Sequence, residues 1–391
     1  MSVFLALVTG YLLGSFLPAY FLTKWILGID IRNVGTYHAG TTNVYRAVGL
    51  WPAAVTALYD TTKGIMALSF ARSLGVPHWV AYLSGYSAIL GHVFPFYLQF
   101  RGGKGAATTV GLLLFFLWNH WLVLPLRVLL LDFLVLLSIV LVSLWSSRRG
   151  DVVGLFVLPA LGVLLWLRTI EDAWFILVLI FTLFLINLKN SLDQKLIRFS
   201  EGTRVWRVLI RPAAIALLVL GLKMEKGNFL LLNGAVLLLF LLMDVIRLFN
   251  KRVSEFFHNE VPFKIFKEKE RVRVSSMTLF LLGILLSFLL FDVRVAFVSG
   301  CFLTFGDLAA KIIGMSFGKK KLFEKTLEGS LAYLVVSVYV AHVASVLGFV
   351  GLTAGLLGAL ASTVCEVIPL SIDDNVSVPI FSALVMSLLG A

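Results

Sequence analysis

Apolar runs of about 18–22 residues follow one another along nearly the whole chain, each closed by a short polar segment. Runs of that length read as membrane-crossing helices. The pattern predicts fourteen, at about 2–27, 50–71, 78–98, 106–122, 123–145, 152–168, 173–188, 206–222, 228–246, 276–291, 293–306, 330–347, 350–368 and 377–390. The expected fold class is an all-α integral membrane protein with about fourteen transmembrane helices in two seven-helix bundles. The first run lacks a basic leading segment and is expected to be a retained helix rather than a signal peptide. The most polar linker, KNSLDQKLIRFSEGTRVWR (189–207), parts seven runs from seven, so the expected domains are 1–200 and 201–391. The halves share no motif.

Composition sharpens this picture. The 391 residues are 60% hydrophobic and 14% charged, which excludes a soluble protein of this size. The net charge of +12 does not point to nucleic acid, because the basic residues sit in short loops between apolar runs. The positive-inside rule accounts for them. It places loops 28–49, 99–105, 146–151, 189–205, 247–275, 307–329 and 369–376 in the cytoplasm, with both termini outside, as in a multi-pass protein of the plasma membrane. The two cysteines, Cys301 and Cys365, lie in apolar segments and imply neither a disulfide framework nor a cysteine–zinc site.

In the first half the polar residues concentrate in GSFLPAY (14–20), the loop IDIRNVGTYHAGTTNVYRAVG (29–49), DTTKG (60–64) and GHVFPFYLQFRGGKGAATTVG (91–111). The glycines of RGGKGAAT let backbone amides approach an anion, Arg101 and Lys104 supply charge, and Thr108 stands one turn into the following helix. Gly35–Thr36 and Gly40–Asn43 form a second donor loop. Asp60 and Lys63 fall inside an apolar run, where ionisable residues are costly and usually functional; a structural ion pair is the alternative. His92 is either a structural hydrogen-bonder or a base, His38 a catalytic or an inert loop residue, and Asp132 a helix-packing partner.

At these residues the half resembles the PlsY-type glycerol-3-phosphate acyltransferases. The family patterns GSxP, DIRxxGSGNxGATN, DxxKG and GHxFPxFxxFKGGKGVAT align with Gly14–Pro18, Asp30–Asn43, Asp60–Gly64 and Gly91–Thr108. The resemblance implies acyl transfer from acyl phosphate to glycerol 3-phosphate, giving lysophosphatidate. It makes Lys104 a catalytic candidate, beside His38, which is a catalytic candidate on its own chemistry. It implies substrate contacts from Gly35, Thr36, Gly40, Thr42, Asn43, Asp60, Lys63, His92, Arg101, Gly102, Gly103, Gly105 and Thr108. His38 replaces an asparagine of the family pattern, SSRRGDVVGLF (146–156) matches the arginine–serine motif poorly, and NLKNSLDQKLIRF (187–199) has no histidine where an HxxN motif is expected.

The second half carries GDLAAKIIGMSFGKKKLFEKTLEG (306–329) and, one hydrophobic hairpin later, ASTVCEVIPLSIDDNVSVP (361–379). Spaced glycines permit close approach to phosphates, Lys319, Lys320, Lys321 and Lys325 neutralise them, and Thr326 can cap a helix. The Walker spacing G-x-x-x-x-G-K-[ST] is absent. Asp307 with Asp373 or Asp374 suits Mg²⁺, which prefers oxygen ligands and bridges nucleotide phosphates. These stretches resemble the CTP-dependent lipid kinases, which include dolichol kinase, phytol kinase and the yeast-type diacylglycerol kinase. Their GDxxAxxxGxxxGxxK…KTxEGSxA stands here as Gly306–Ala332 and their E…DDNxxxP as Glu366 to Pro379. The resemblance implies CTP as phosphoryl donor and a membrane-dissolved alcohol as acceptor. Asp307, Asp374 and Lys325 become catalytic candidates, and Asp307, Asp373 and Asp374 metal ligands. Gly306, Lys311, Gly314, Gly318, Lys319, Lys320, Thr326, Glu328, Gly329, Glu366 and Asn375 become nucleotide contacts. Asp244, Arg247 and Glu270 lie on the polar approach to the site.

The expectation is a bifunctional enzyme of phospholipid or isoprenoid lipid metabolism: a PlsY-like acyltransferase domain (1–200) and a CTP-dependent kinase-like domain (201–391). Alternatives are a kinase whose first half is a lipid-binding scaffold, and a membrane transporter. The sequence does not set the oligomeric state.

Overall fold

A computed structural model describes residues 1–121, 124–168, 172–197, 211–255, 270, 272–369 and 371–390. Two compact units emerge, one of residues 1–130 with 161–190, the other of 131–160 with 191–391. The expected boundary at about 200 lies outside the described residues.

The first unit contains α1 (Ser2–Ser15), α2 (Pro18–Leu27), α3 (Thr41–Ala47), α4 (Leu50–Ser73), α5 (His78–Val93) and α6 (Ala106–Trp121). The single helix expected over 2–27 breaks at Phe16 and Leu17, both extended, because Pro18 lacks an N–H and pushes the residue before it out of the α region. The helix expected to reach 98 stops at Val93, ahead of Pro95. Small residues bring α1 and α5 to backbone contact. A Cβ added at Gly14 meets the backbone of Ala88, and one at Gly91 lies 2.7 Å from Ser15 N. This is close packing of the kind small residues permit between membrane helices. Ser84 Oγ and Tyr11 Oη seal the crossing by donating to Ala6 O and Phe94 O at 2.7 and 2.6 Å.

Next come α7 (Leu126–Ser147), α8 (Gly150–Leu167) and α9 (Ala173–Asp193). Residues 131–160 of α7 and α8 cluster with the second unit. There α10 (Arg211–Lys223), α11 (Lys226–Phe249), a short α12 (Lys251–Glu255), α13 (Ser276–Leu290) and α14 (Val293–Cys301) precede a π-helical stretch, Phe302–Gly306. That stretch runs without a break into α15 (Asp307–Phe317). The loop expected to begin at 307 therefore begins eleven residues later, at Gly318, and Asp307 and Lys311 are helical. A two-stranded antiparallel hairpin comes next, β1 (Lys321–Leu322) with β2 (Lys325–Thr326), then α16 (Leu327–Val346), α17 (Leu352–Val367) and α18 (Asp374–Leu388). Val152, Ala309, Ile313 and Ala332 form one buried cluster joining α8, α15 and α16. Asp132 of α7, expected to pack helices, meets His342 Nε2 of α16 at 2.6 Å.

Seven described stretches are long and apolar enough to cross a membrane: Ser2–Leu27, Leu126–Ser147, Gly150–Leu167, Ala173–Asp193, Lys226–Phe249, Val293–Phe317 and Leu327–Val346. Five shorter apolar helices accompany them, α6, α10, α13, α17 and α18 among the named elements. Trp25, Leu58, Trp118, Leu231 and Leu239 are exposed on helix surfaces, as lipid-facing side chains require. The protein is a membrane-embedded helical protein.

Candidate active sites

In the first unit the ionisable residues of α4 and α5 meet at one point. Lys63 Nζ donates to Asp60 Oδ1 at 2.8 Å and to Gly14 O at 2.9 Å, and lies 2.7 Å from His92 Nδ1. Lys63 and Asp60 are essentially unexposed and His92 is buried. The three are brought together as the sequence suggests, but as a closed cluster whose polar atoms serve one another. The GGKG segment lies on this cluster. A Cβ at Gly103 would strike His92 Nε2 and come within 2.5 Å of Ala39 O, so the residue there must be glycine, and loop 31–40 is pressed against loop 101–105.

The amides of that segment correct one expectation. Gly102 N–H donates to Val93 O and Gly103 N–H to His92 O, both at 3.0 Å. These two groups finish α5 instead of cradling an anion, because the last carbonyls of a helix need donors. Asn43 is corrected likewise. It is buried, and its amide donates to Ile31 O, Val34 O and His38 O at 2.9–3.0 Å and accepts from Thr36 N–H at 3.1 Å. It shapes the loop, with its amide nitrogen committed to backbone carbonyls. Gly35, at φ +62°, allows that shape, since a side chain there would collide with Asn43 Oδ1. Gly40 is the extended residue that opens α3.

The exposed candidates are Gly35, Thr36, His38, Thr42, Arg101 and Lys104. Gly105 is buried at φ +79°, and Thr108 Oγ1 is buried without a hydrogen-bond partner. Two residues missed by the sequence reasoning belong here. Arg32 pairs with Asp30 at 2.6 Å and donates to Leu98 O and Arg101 O at 2.8 and 3.1 Å, clamping the two loops together. Arg32 beside Asp30 holds that carboxyl below its ordinary range. The other is Asn190, whose Oδ1 accepts from Lys104 Nζ at 2.5 Å. Asn187 and Asn190 have the HxxN spacing with asparagine in the first place. That spacing was the available signal, passed over for want of a histidine.

In the second unit a cleft of about 1020 Å³ opens between α13, α15, the hairpin and the start of α18. It gathers Asp307, Lys311, Gly314, Lys325, Thr326, Gly329, Glu366, Asp373, Asp374 and Asn375 from the sequence candidates. Lys325 Nζ bridges Glu366 Oε1 and Asp374 Oδ2, each at 2.8 Å. Burial works against the Lys325 charge, but the two carboxylates outweigh it and raise its pKa above the ordinary value. Lys311 Nζ meets Asp307 Oδ2 at 2.6 Å.

Several candidates do not reach the cleft wall. Glu328 is buried and accepts from Lys319 N–H and Lys320 N–H at 3.0 and 3.3 Å, so it orders the lysine turn rather than a nucleotide. Lys319 and Lys320 are exposed and lie outside the cleft lining. Gly318, half-buried, lies outside it too and closes α15 by donating to Gly314 O at 3.0 Å. Gly306 lies in the π-helical stretch against the Tyr333 ring, 2.7 Å from where its Cβ would be. Thr326 Oγ1 caps α16 by accepting from Gly329 N–H at 3.2 Å. Asp373 caps α18 and holds Asn375 Nδ2 at 2.7 Å. Upstream, Asp244 and Arg247 pair at 2.8 Å. Asp244 takes Ser275 N–H and Thr278 Oγ1, and Arg247 donates to Glu270 O and Arg273 O, fixing the segment from which Glu270 and Arg273 line the cleft. Arg273 and Tyr333 were missed as lining residues because nothing in their spacing marks them, and Ser330 although it is the serine of the KTxEGSxA stretch.

Among the described residues no three His, Cys, Asp or Glu side chains stand ready as a metal site. The donor set still suits a hard cation. Asp307, Glu366 and Asp374 supply only oxygen, and Glu366 Oε2 is buried with no hydrogen-bond partner.

Fold and first site together define a membrane-embedded protein whose glycine-rich and basic loops face a buried Asp–Lys–His cluster. The sequence profile of the glycerol-3-phosphate acyltransferase family matches residues 4–198, and the chain belongs to that family. It is 37% identical over 205 residues to a glycerol-3-phosphate acyltransferase of Thermus thermophilus, covering 50% of this chain and 91% of the relative. It is 43% identical over 118 residues to one of Synechococcus sp. (strain CC9902), covering 30% of this chain. The chain spans 53–59% of the length of the first cyanobacterial relatives it matches. A crystal structure of PlsY (YgiH), an integral membrane glycerol 3-phosphate acyltransferase in its glycerol 3-phosphate form, aligns at 29% identity with a TM-score of 0.39, covering 50% of this chain and 92% of that one.

Proposed function

We propose that the chain is a bifunctional lipid enzyme, with an acyltransferase in residues 1–200 and a CTP-dependent lipid kinase in residues 201–391. Its fourteen crossings form two bundles, and both sites and their loops face the cytoplasm, with the termini outside. Membership of the glycerol-3-phosphate acyltransferase family supports the first activity. In it the hydroxyl oxygen of glycerol 3-phosphate attacks the acyl carbon of an acyl phosphate, and the bond from that carbon to the phosphate oxygen breaks. Inorganic phosphate leaves, and His38 on the exposed loop takes the hydroxyl proton. Arg101 and Lys104 neutralise the phosphates. The buried Asp60–Lys63–His92 cluster sets the floor on which the GGKG segment rests.

The observation that carries the kinase is the cleft in which Lys311, Lys325 and the first turn of α16 face Asp307, Glu366 and Asp374. Phosphoryl transfer is governed mostly by positioning and charge neutralisation, and this lining supplies both. The bond between the γ-phosphorus and the β–γ bridging oxygen of CTP breaks. A bond forms from the hydroxyl oxygen of a membrane-dissolved alcohol, such as diacylglycerol or a polyprenol, to that phosphorus. Asp374 takes the hydroxyl proton and CDP leaves. Mg²⁺ held by Asp307, Asp374 and Glu366 would neutralise phosphate charge. Asp373, spent on its cap, is the weaker ligand.

A second reading keeps only the kinase active, with the first unit as a lipid-binding scaffold. Asn187 in place of a histidine favours it. The purified full-length protein should be given γ-labelled CTP or ATP with Mg²⁺ and a panel of lipid alcohols, and separately acyl phosphate with glycerol 3-phosphate. CTP-dependent labelling of one lipid, lost in Asp307→Ala, is expected, together with lysophosphatidate formation. No labelled lipid with any donor removes the kinase. No lysophosphatidate leaves the scaffold reading.

A further inference from the structure

We propose that Lys325 is an exchangeable counter-cation. Without nucleotide its ammonium bridges Glu366 and Asp374, and when a nucleoside triphosphate arrives with its divalent cation the lysine turns to the phosphates and releases both carboxylates. This rests on the kinase reading. The present bridge is complete on the lysine side, with both contacts at 2.8 Å. It is incomplete on the carboxylate side. Glu366 is 5% exposed, yet its Oε2 has no hydrogen-bond partner, although an ionised carboxylate has about four acceptor positions. Two carboxylates drawn to one point repel unless a cation lies between them, and Lys325 is that cation here.

The lysine is built to leave. It stands on the two-residue strand β2 with its side chain one-third exposed, on a flexible stem that ends in a compact charge. Its next partner has a seat beside it. Thr326, Gly329 and Ser330, the cap and first turn of the twenty-residue α16, line the same cleft, as does Lys311. A helix N-terminus favours phosphate, and Ser330 Oγ is buried there without a hydrogen-bond partner. An anion on this turn draws the ammonium off the carboxylates, which then gain a divalent ion in its place. Nucleotide and metal thereby strengthen each other's binding, and by linkage the coupling is reciprocal.

The test uses full-length protein in detergent and Mn²⁺ as the probe, with unbound Mn²⁺ followed by electron paramagnetic resonance in the absence of nucleotide. Lys325→Met is expected to bind Mn²⁺ about tenfold tighter than the unmodified protein, while CTP-dependent lipid labelling falls about 100-fold. A lysine that only supports the fold would lose both, so unchanged or weaker Mn²⁺ binding overturns the exchange. Tighter Mn²⁺ binding in a protein whose unmodified form labels no lipid keeps the exchange and removes the kinase. A measurement without that variant uses protein reductively methylated with ¹³C-formaldehyde. The Lys325 signal, assigned by its absence in Lys325→Arg, should move when Mg²⁺ and a non-hydrolysable triphosphate are added together and stay put with Mg²⁺ alone. A signal unmoved by the pair overturns the proposal.

Discussion

Each unit holds a lysine paired with a carboxylate, and the two arrangements differ in almost everything else. Lys63 is paired with a residue three positions away on its own helix, is fully buried, and has a backbone carbonyl and a histidine as further partners. Lys325 reaches partners 41 and 49 residues away, is partly exposed, and stands at the wall of an open cleft. The first lysine has no route to solvent and no atom to spare. The second lies beside a carboxylate oxygen that still lacks a partner. An ionisable residue in an apolar chain is costly in either setting. Whether the cost supports a scaffold or a working part depends on what surrounds the pair, which neither its chemistry nor its spacing reveals.

The largest test of that difference is Asp60→Ala. Removing one member of a buried pair leaves an uncompensated charge and costs about 3–5 kcal/mol. A fall in melting temperature should accompany loss of acyl transfer, and a variant that melts like the unmodified protein would show that Asp60 is not scaffold.

His342 and Asp132 form the counterpart within the second unit, because their contact is buried among helices instead of open to the cleft. By the same criterion His342→Leu should lower stability by roughly 1–2 kcal/mol, the range for polar contacts between membrane helices. It should leave the affinity for nucleotide unchanged, and Asp132→Leu with His342→Leu should recover part of the loss. A selective effect on nucleotide affinity would break the comparison.

On the exposed face of the first unit, Asn190→Leu removes the partner of Lys104. It should slow acyl transfer about tenfold, matching the roughly 1.5 kcal/mol of a hydrogen bond to a charged group, with little change in melting temperature. Asn187→His, which completes the HxxN spacing, should raise the rate if the first unit is catalytic.

The smallest effect concerns Asp30. Its carboxyl is held below the ordinary 3.8 by Arg32, so the pair contributes stability above that value and loses it as pH falls through the lowered pKa. Limited proteolysis within 28–49 should be unchanged from pH 7 to 5 and accelerate only below about pH 3.8. Asp30→Asn should show no such acid dependence.

The sequence made the membrane class and both clusters of candidate residues legible, because apolar run length and the rarity of charge within it are direct consequences of a hydrocarbon solvent. Partners were less legible than positions. Asn43 and Glu328 both stand inside polar motifs, and only the folded loops show that the Asn43 amide donates to three carbonyls and that Glu328 Oε2 accepts from two amides. Gly102 and Gly103 promised free amides, but the end of α5 claims them. The opposite error fell on 306–317, where Gly306, Asp307, Lys311 and Gly314 suggested a loop. Gly314 is tolerated there because a Cβ would lie 2.9 Å from Thr326 Oγ1, a proximity that exists only after the hairpin has folded back.

The π-helical stretch Phe302–Gly306 also sets the rotational phase of α15. An α-helix turns its side chains by about 100° per residue, and a π turn absorbs an additional residue without ending the helix. The rod Val293–Phe317 can therefore obey two sets of instructions. Its upstream portion buries Val295, Val298 and Phe302, while its downstream portion presents Asp307 and Lys311 to the cleft. Forcing the same five residues, 302–306, into regular α-helix would swing Asp307 and Lys311 about a quarter-turn around the rod, disarming the second site with every one of its side chains still present.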